Sequence, residues 1–190
     1  MRLPHLARLA SAGLIVAAAL TTSPSYAESQ TVRDAAQDVY KEADGAPALS
    51  PGDKARDIVK SKASYGNGKL VLWVEVRSLA TDDYAAWFSV KTSNGHWTMG
   101  YDKESAPAYT SLFDGAQEVF SCDGLRGGGD RRRDRITITV PRSCIDAPRW
   151  IKFGVWMRHD TNNVNVIDDG RIDAGYSSVE PKLGSRVTYN

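Results

Sequence analysis

This 190-residue chain has only two cysteines, three histidines and three methionines, and almost no net charge, with 24 Lys+Arg against 23 Asp+Glu. Two cysteines with 21 residues between them, Cys122 and Cys144, exclude a four-cysteine zinc site and a Cys-x-x-Cys redox motif. The charge balance argues against a dedicated nucleic-acid binder and against a protein of anionic membrane surfaces. No His-Glu-x-x-His, no Gly-x-Ser-x-Gly and no Gly-Lys-Ser/Thr phosphate loop occurs. Six glutamates and many aspartates would furnish a glycosidase pair by chance alone, so their number points to no enzyme. Helical periodicity is missing too, apart from a turn or two around Arg33–Glu42. The expectation is a non-catalytic protein without cofactor or resident metal.

The amino terminus has a pattern of its own. MRLPHLAR supplies Arg2 and Arg8, and no acidic residue precedes Glu28. Leu9–Leu20, LASAGLIVAAAL, is an apolar run of twelve residues, short of the roughly 20 that span a bilayer. A polar stretch ending in Ser25-Tyr26-Ala27 follows, a small-x-small cleavage signature. Residues 1–27 therefore read as a secretory signal peptide removed after about Ala27. The expected mature chain of 163 residues is secreted, extracellular and off the membrane after cleavage, and loses only Arg2 and Arg8 among its charges. That length suffices for one domain with a core. In an exported chain the two cysteines default to one disulfide, Cys122–Cys144.

Residues 28–56, including GAPALSPGD, are polar and read as an irregular N-terminal segment packing on a domain at 57–190. In that domain the pattern alternates. Leu70, Leu72, Val74 and Val76 oppose Trp73, Glu75 and Arg77, and Tyr84, Ala86, Phe88 and Val90 oppose Trp87, Ser89 and Lys91. Trp97, Met99 and Tyr101 share a side, Ile136, Ile138 and Val140 alternate with threonines, and Ile151, Phe153, Val155 and Met157 oppose Lys152, Trp156 and Arg158. Period two, repeated this often, means half-buried strands. Turn signals separate them: GNG at 66–68, SNGH at 93–96, DGA at 114–116 and DDG at 168–170. The predicted fold is all-β, a single antiparallel β-sandwich with jelly-roll or immunoglobulin-like layering and one disulfide.

The stretch SCDGLRGGGDRRRDRITITVPRSC, 121–144, holds both cysteines, and their midpoint falls in the arginine run. This predicts a hairpin turning near Arg133, with a strand running from about Gln117 past Cys122 and the disulfide clamping the hairpin below its tip. The glycine triplet is expected to supply positive φ or a bulge. A strand, not a helix, follows the glycines, so the segment reads as a solvated tip and not as an anion cradle.

The order DIVKSKASYGNGKLVLWVEVRSL, a Trp/Tyr-rich middle and then C…RITITVPRSCIDAPRW resembles a set of secreted bacterial β-sandwich proteins. Those proteins are distantly similar to DOMON domains and family-nine carbohydrate-binding modules. The resemblance covers roughly residues 31–160 and implies a binding or structural sandwich, with sugars as a ligand class. It includes an Asp-rich start in which a glycine often precedes the second aspartate, where this chain has Asp34, Gln37 and Asp38. DOMON haem ligation by Met and His is not expected, because Met157 and His159 share strand parity and point to one side, and Met99, conceivable as a partner of His159, reads as a core methionine. Asp160–Arg171 departs from a calcium loop of the EF-hand type, with Asn165 at the glycine position and Arg171 at the glutamate position. Both aspartate segments read as solvated turns.

The remaining signal is aromatic. Trp73, Trp87, Trp150 and Trp156 share strand parity with polar neighbours, so they belong on solvent-side faces where rings stack on sugars. The bland account is that the N-terminal segment or the tail at 170–190 packs over them. Two function classes follow. The first is a binding module for carbohydrate or cell wall. The second is a structural or protein-interacting extracellular domain with no small-molecule site.

Overall fold

The computed structural model describes residues 28–43, 46–66, 68–104, 107–161, 164–173, 175, 177 and 179–189. Its alternating segments form two packed antiparallel sheets. The smaller sheet runs β1 (Glu28–Arg33), β4 (Ile58–Gly66), β5 (Lys69–Val76), β11 (Arg135–Pro141) and β10 (Arg126–Asp130). The larger, nine-stranded among the described residues, begins with β3 (Ala46–Leu49), β2 (Tyr40–Ala43), β13 (Val164–Asp169) and β12 (Trp150–Thr161). It continues with β6 (Ala85–Thr92), β7 (His96–Asp102), β8 (Tyr109–Asp114) and β9 (Gln117–Glu118), while β14 (Val187–Thr188) pairs with the start of β12.

Alternation explains the layering. Leu70, Leu72, Val74, Ile136, Ile138 and Val140 from the smaller sheet are fully buried, as are Ala86, Phe88, Val90, Met99, Leu112, Phe153, Val155 and Met157 from the larger. All belong to one core cluster. Burying one large side chain of this kind contributes roughly 1.5–3 kcal/mol, so the facing layers supply most of the hydrophobic stabilisation. No helix among the described residues is long and apolar enough to cross a membrane. The expected signal peptide, residues 1–27, lies outside the described residues.

The N-terminal segment is more regular than its composition implies. β1 pairs with β4 from Glu28↔Tyr65 to Arg33↔Lys60, and β2 and β3 extend the larger sheet beyond β13. β1 and β3 thus form an edge of each sheet. A polar edge strand such as ESQTVR is held by ladder hydrogen bonds on one side, so it needs little apolar face. The helical turn expected around Arg33–Glu42 does not form. Residues 34–39 instead carry the chain from the smaller sheet to the larger, with Gln37 at φ 74°.

The cysteine-flanked stretch is a hairpin, with one arm shorter than expected. Asp130 pairs with Arg135, so the tip is Arg131–Asp134, and Arg131, Arg132 and Arg133 are exposed. The Cys122–Cys144 disulfide lies below it, with Cα atoms 5.7 Å apart. No strand runs on from Gln117, because β9 ends the larger sheet and the chain then crosses to the smaller one before β10. The glycine triplet also serves a different purpose. A Cβ at Gly127 would lie 2.6 Å from Tyr101 and Thr110, and one at Gly129 would strike the Tyr84 hydroxyl. These glycines let tyrosines of the larger sheet close against β10, with no positive φ involved.

Candidate functional site

The four tryptophans singled out by parity are all half-buried, but they do not share one surface. Trp73 stands on β5 in the smaller sheet, with the Arg135 guanidinium 3.9 Å from its ring centre and Lys60 Nζ at 5.7 Å. Arg135 is held there by Glu75 at 2.9 Å. One face of that ring is taken. Trp150, at the start of β12, has the Arg186 guanidinium of the tail 4.4 Å from its ring. Trp87 and Trp156 are the pair the fold brings together, as register partners on β6 and β12.

The local sequence explains why Trp87 and Trp156 leave a depression. Trp87 faces Gly100 across the β6–β7 ladder, and a Cβ on Gly100 would come within 2.5 Å of the indole. The ring lies over that glycine and near Phe113, with centroids 6.3 Å apart. Further along β12, Gly154 leaves room for the tail, since a Cβ there would meet the Lys182 carbonyl at 2.6 Å. The tail is fixed across this point by Gly184 N–H donating to the Phe153 carbonyl at 3.0 Å and by Lys182 N–H donating to Asp169 at 3.0 Å. The tail therefore accounts for Trp150, and its residues Val179, Glu180 and Pro181 also wall one side of a trough floored by Trp87 and Trp156.

Two adjoining depressions of ≈ 250 and ≈ 290 Å³ share Trp87, Thr98 and Trp156. Ser89, His96 and Glu180 line one, and Arg158 borders the other. The trough therefore combines flat aromatic surface with hydroxyl, imidazole, carboxylate and guanidinium groups. Ser89 Oγ lies 2.6 Å from His96 Nε2, and Glu180 Oε2 lies 3.5 Å from the same nitrogen. In a Ser-His-acid triad the carboxylate holds the other ring nitrogen, so this arrangement is a hydrogen-bonded rim and not a charge-stabilised base. His159 on β12 joins Glu104 at 2.8 Å and Asp83 at 3.1 Å, and Arg56 also reaches Asp83 at 3.2 Å. That group is a polar surface network.

A different acidic set overturns the solvated-turn reading. Asp34 follows β1, Asp38 precedes β2, Asp57 precedes β4, and Asp168 and Asp169 end β13. Asp38 is 5% exposed, and Asp57, Asp168 and Asp169 are fully buried. One carboxylate oxygen each from Asp34, Asp38 and Asp168 fall within 4.8 Å of one another. Asp168 accepts a hydrogen bond from Ile58 N–H at 2.6 Å, and Asp57 accepts one from Gln37 N–H at 2.8 Å and pairs with Arg77. Desolvation, reinforced by the neighbouring carboxylates, pushes Asp34 up to about 8 and Asp168 up to about 9. Desolvation likewise raises Asp38 to about 6. Residue type gave no sign of this, because Asp168 and Asp169 belong to an Asp-Asp-Gly turn signal and Asp34 and Asp38 lie in a polar stretch. The one usable hint is that Asp57 and Asp168 adjoin the apolar pairs Ile58-Val59 and Val166-Ile167.

Comparison with protein-family models, curated proteins and solved structures returns no match for this chain.

Proposed function

We propose that this chain is a secreted, non-catalytic β-sandwich binding module whose ligand is carbohydrate, as free polysaccharide or cell wall, received in the Trp87–Trp156 trough. The observation that carries the reading is the pairing of these two half-buried indoles on adjacent strands, floored by Gly100 and rimmed by polar groups. Sugar rings offer C–H faces to stack on indoles and hydroxyls to meet side chains such as Ser89, Thr98, Glu180 and Arg158. The resemblance to secreted bacterial sandwiches that are distantly similar to carbohydrate-binding modules points the same way, and the disulfide fits an oxidising, exported setting. Nucleic acid is not the expected partner, given the charge balance.

A second reading is an extracellular structural or protein-interacting domain. It is favoured by the tail, which already occupies the Trp150 ring and crosses Gly154. A pull-down of the protein on insoluble polysaccharides and purified cell wall separates the two. Saturable, sugar-competed retention on at least one matrix is the expected result. No retention on any of them would favour the second reading.

A further inference from the structure

We propose that Asp34, Asp38 and Asp168 form a calcium site that fastens the chain's crossing between the two sheets. The three carboxylates come from the end of β1, the segment before β2 and the last turn of pleat in β13. They converge within 4.8 Å although 129 residues lie between Asp38 and Asp168. Gln37, held at φ 74° with its N–H on Asp57, turns the chain so that Asp34 and Asp38 face the same point. The inference is independent of the carbohydrate reading.

The independent observation is orphaned oxygen. Asp38 is 5% exposed, and neither of its carboxylate oxygens has a hydrogen-bond partner beyond its own backbone. Asp168 is fully buried, and once Ile58 N–H has taken one oxygen the other is unpartnered. Both Asp34 oxygens are buried, with no partner beyond the adjoining Ala35 backbone. Buried carboxyl oxygens without donors are costly, and at this spacing the three groups cannot all ionise without repulsion. Nearby cations do not neutralise the cluster. Arg77 pairs with Asp57, and Arg171, which acts on Asp34 and Asp169 from a distance, donates to Gln30 at 2.9 Å and stacks on Phe153, while Asp169 and Asp173 add further acidic groups. A divalent cation resolves both problems at once.

The donor set selects the ion. It is all oxygen, with neither imidazole nor thiolate, which suits a hard cation and not zinc or copper. The ligands sit on separate segments with a turn between two of them, which suits the variable six- to eight-oxygen shell of calcium better than the strict octahedron of magnesium.

The test is calcium titration of the intact protein by calorimetry, with melting curves in chelator, calcium and magnesium. One calcium per chain is expected, with a rise in Tm of roughly 5–10 °C at calcium 100-fold above its Kd and a smaller rise with magnesium. Asp38→Asn should abolish the rise and melt above the wild type in chelator, because it removes a buried charge. Asp168→Asn should also abolish uptake and serves if Asp38→Asn fails to fold. Asp83→Asn, in the surface network around His159, should keep the full calcium response. No uptake and no shift in the wild type would overturn the proposal. So would uptake that survives Asp38→Asn and Asp168→Asn but is lost in Asp83→Asn.

Discussion

Trp87 on β6 and Trp156 on β12 are direct cross-strand partners, and their indoles form one aromatic floor on the outer face of the larger sheet. Trp73, chosen by the same parity argument, belongs to the other sheet and is stacked with Arg135. That contrast makes the aromatic sites separable by mutation.

The tail's path gives the first prediction. Gly154→Ala would drive a methyl group into the Lys182 carbonyl and Pro181. Overpacking of this kind costs about 1–3 kcal/mol, and the contact is backbone, so the tail must move. The variant should melt several degrees lower, and proteolysis at 179–189 should accelerate. Unchanged melting and cleavage would show that the tail does not pack there.

The disulfide gives the second. Closing a loop of about 23 residues stabilises by roughly 3 kcal/mol in the chain-entropy model, or roughly 6–12 °C in Tm for a domain of this size. Cys122→Ser/Cys144→Ser should show that loss. Neutralising Arg131, Arg132 and Arg133 together should change Tm little, because the tip is exposed and exposed ion pairs contribute about 0–1 kcal/mol. A larger loss from the arginine variant than from the cysteine variant would contradict the clamp-and-tip description.

Tyr84 gives a pH dependence. Burial, with a contribution from Tyr101, pushes its hydroxyl up to about 12, above the usual value near 10. The folded state therefore favours the neutral phenol. The contribution is fully present below about pH 10 and is lost as pH rises from 10 towards 12. Urea denaturation from pH 8 to 12 should show the wild type losing more stability than Tyr84→Phe above pH 10. Parallel losses in the two proteins would contradict the buried-phenol reading.

Much of the sandwich was legible because strands buried on one face alternate. Leu70, Leu72 and Val74 announce β5, and Ile136, Ile138 and Val140 announce β11. β1 and β3 were not legible, since an edge strand such as APAL, exposed throughout, is held by its neighbour's ladder and not by its own pattern. The glycines of β10 were read as turn formers, whereas Tyr84 and Tyr101, more than twenty residues away in sequence, set the need for them. At the trough, parity identified Trp87 and Trp156 as outward facing, but no local signal says that β6 and β12 are neighbours. The aspartate cluster was the least legible feature. Its burial comes from the convergence of four chain segments, and aspartates at 34, 38 and 168 look individually like turn residues.

The central claim is that the Trp87–Trp156 pair is the ligand surface. It is tested most directly by retention isotherms of Trp156→Ala and Trp73→Ala beside the wild type, on a matrix that retains the wild type, with melting curves showing that both variants are folded. Aromatic hot spots are worth about 2 kcal/mol or more, so Trp156→Ala should weaken retention roughly 30-fold or beyond, while Trp73→Ala binds as the wild type does. Wild-type affinity in folded Trp156→Ala, or loss of binding in Trp73→Ala alone, would contradict the account.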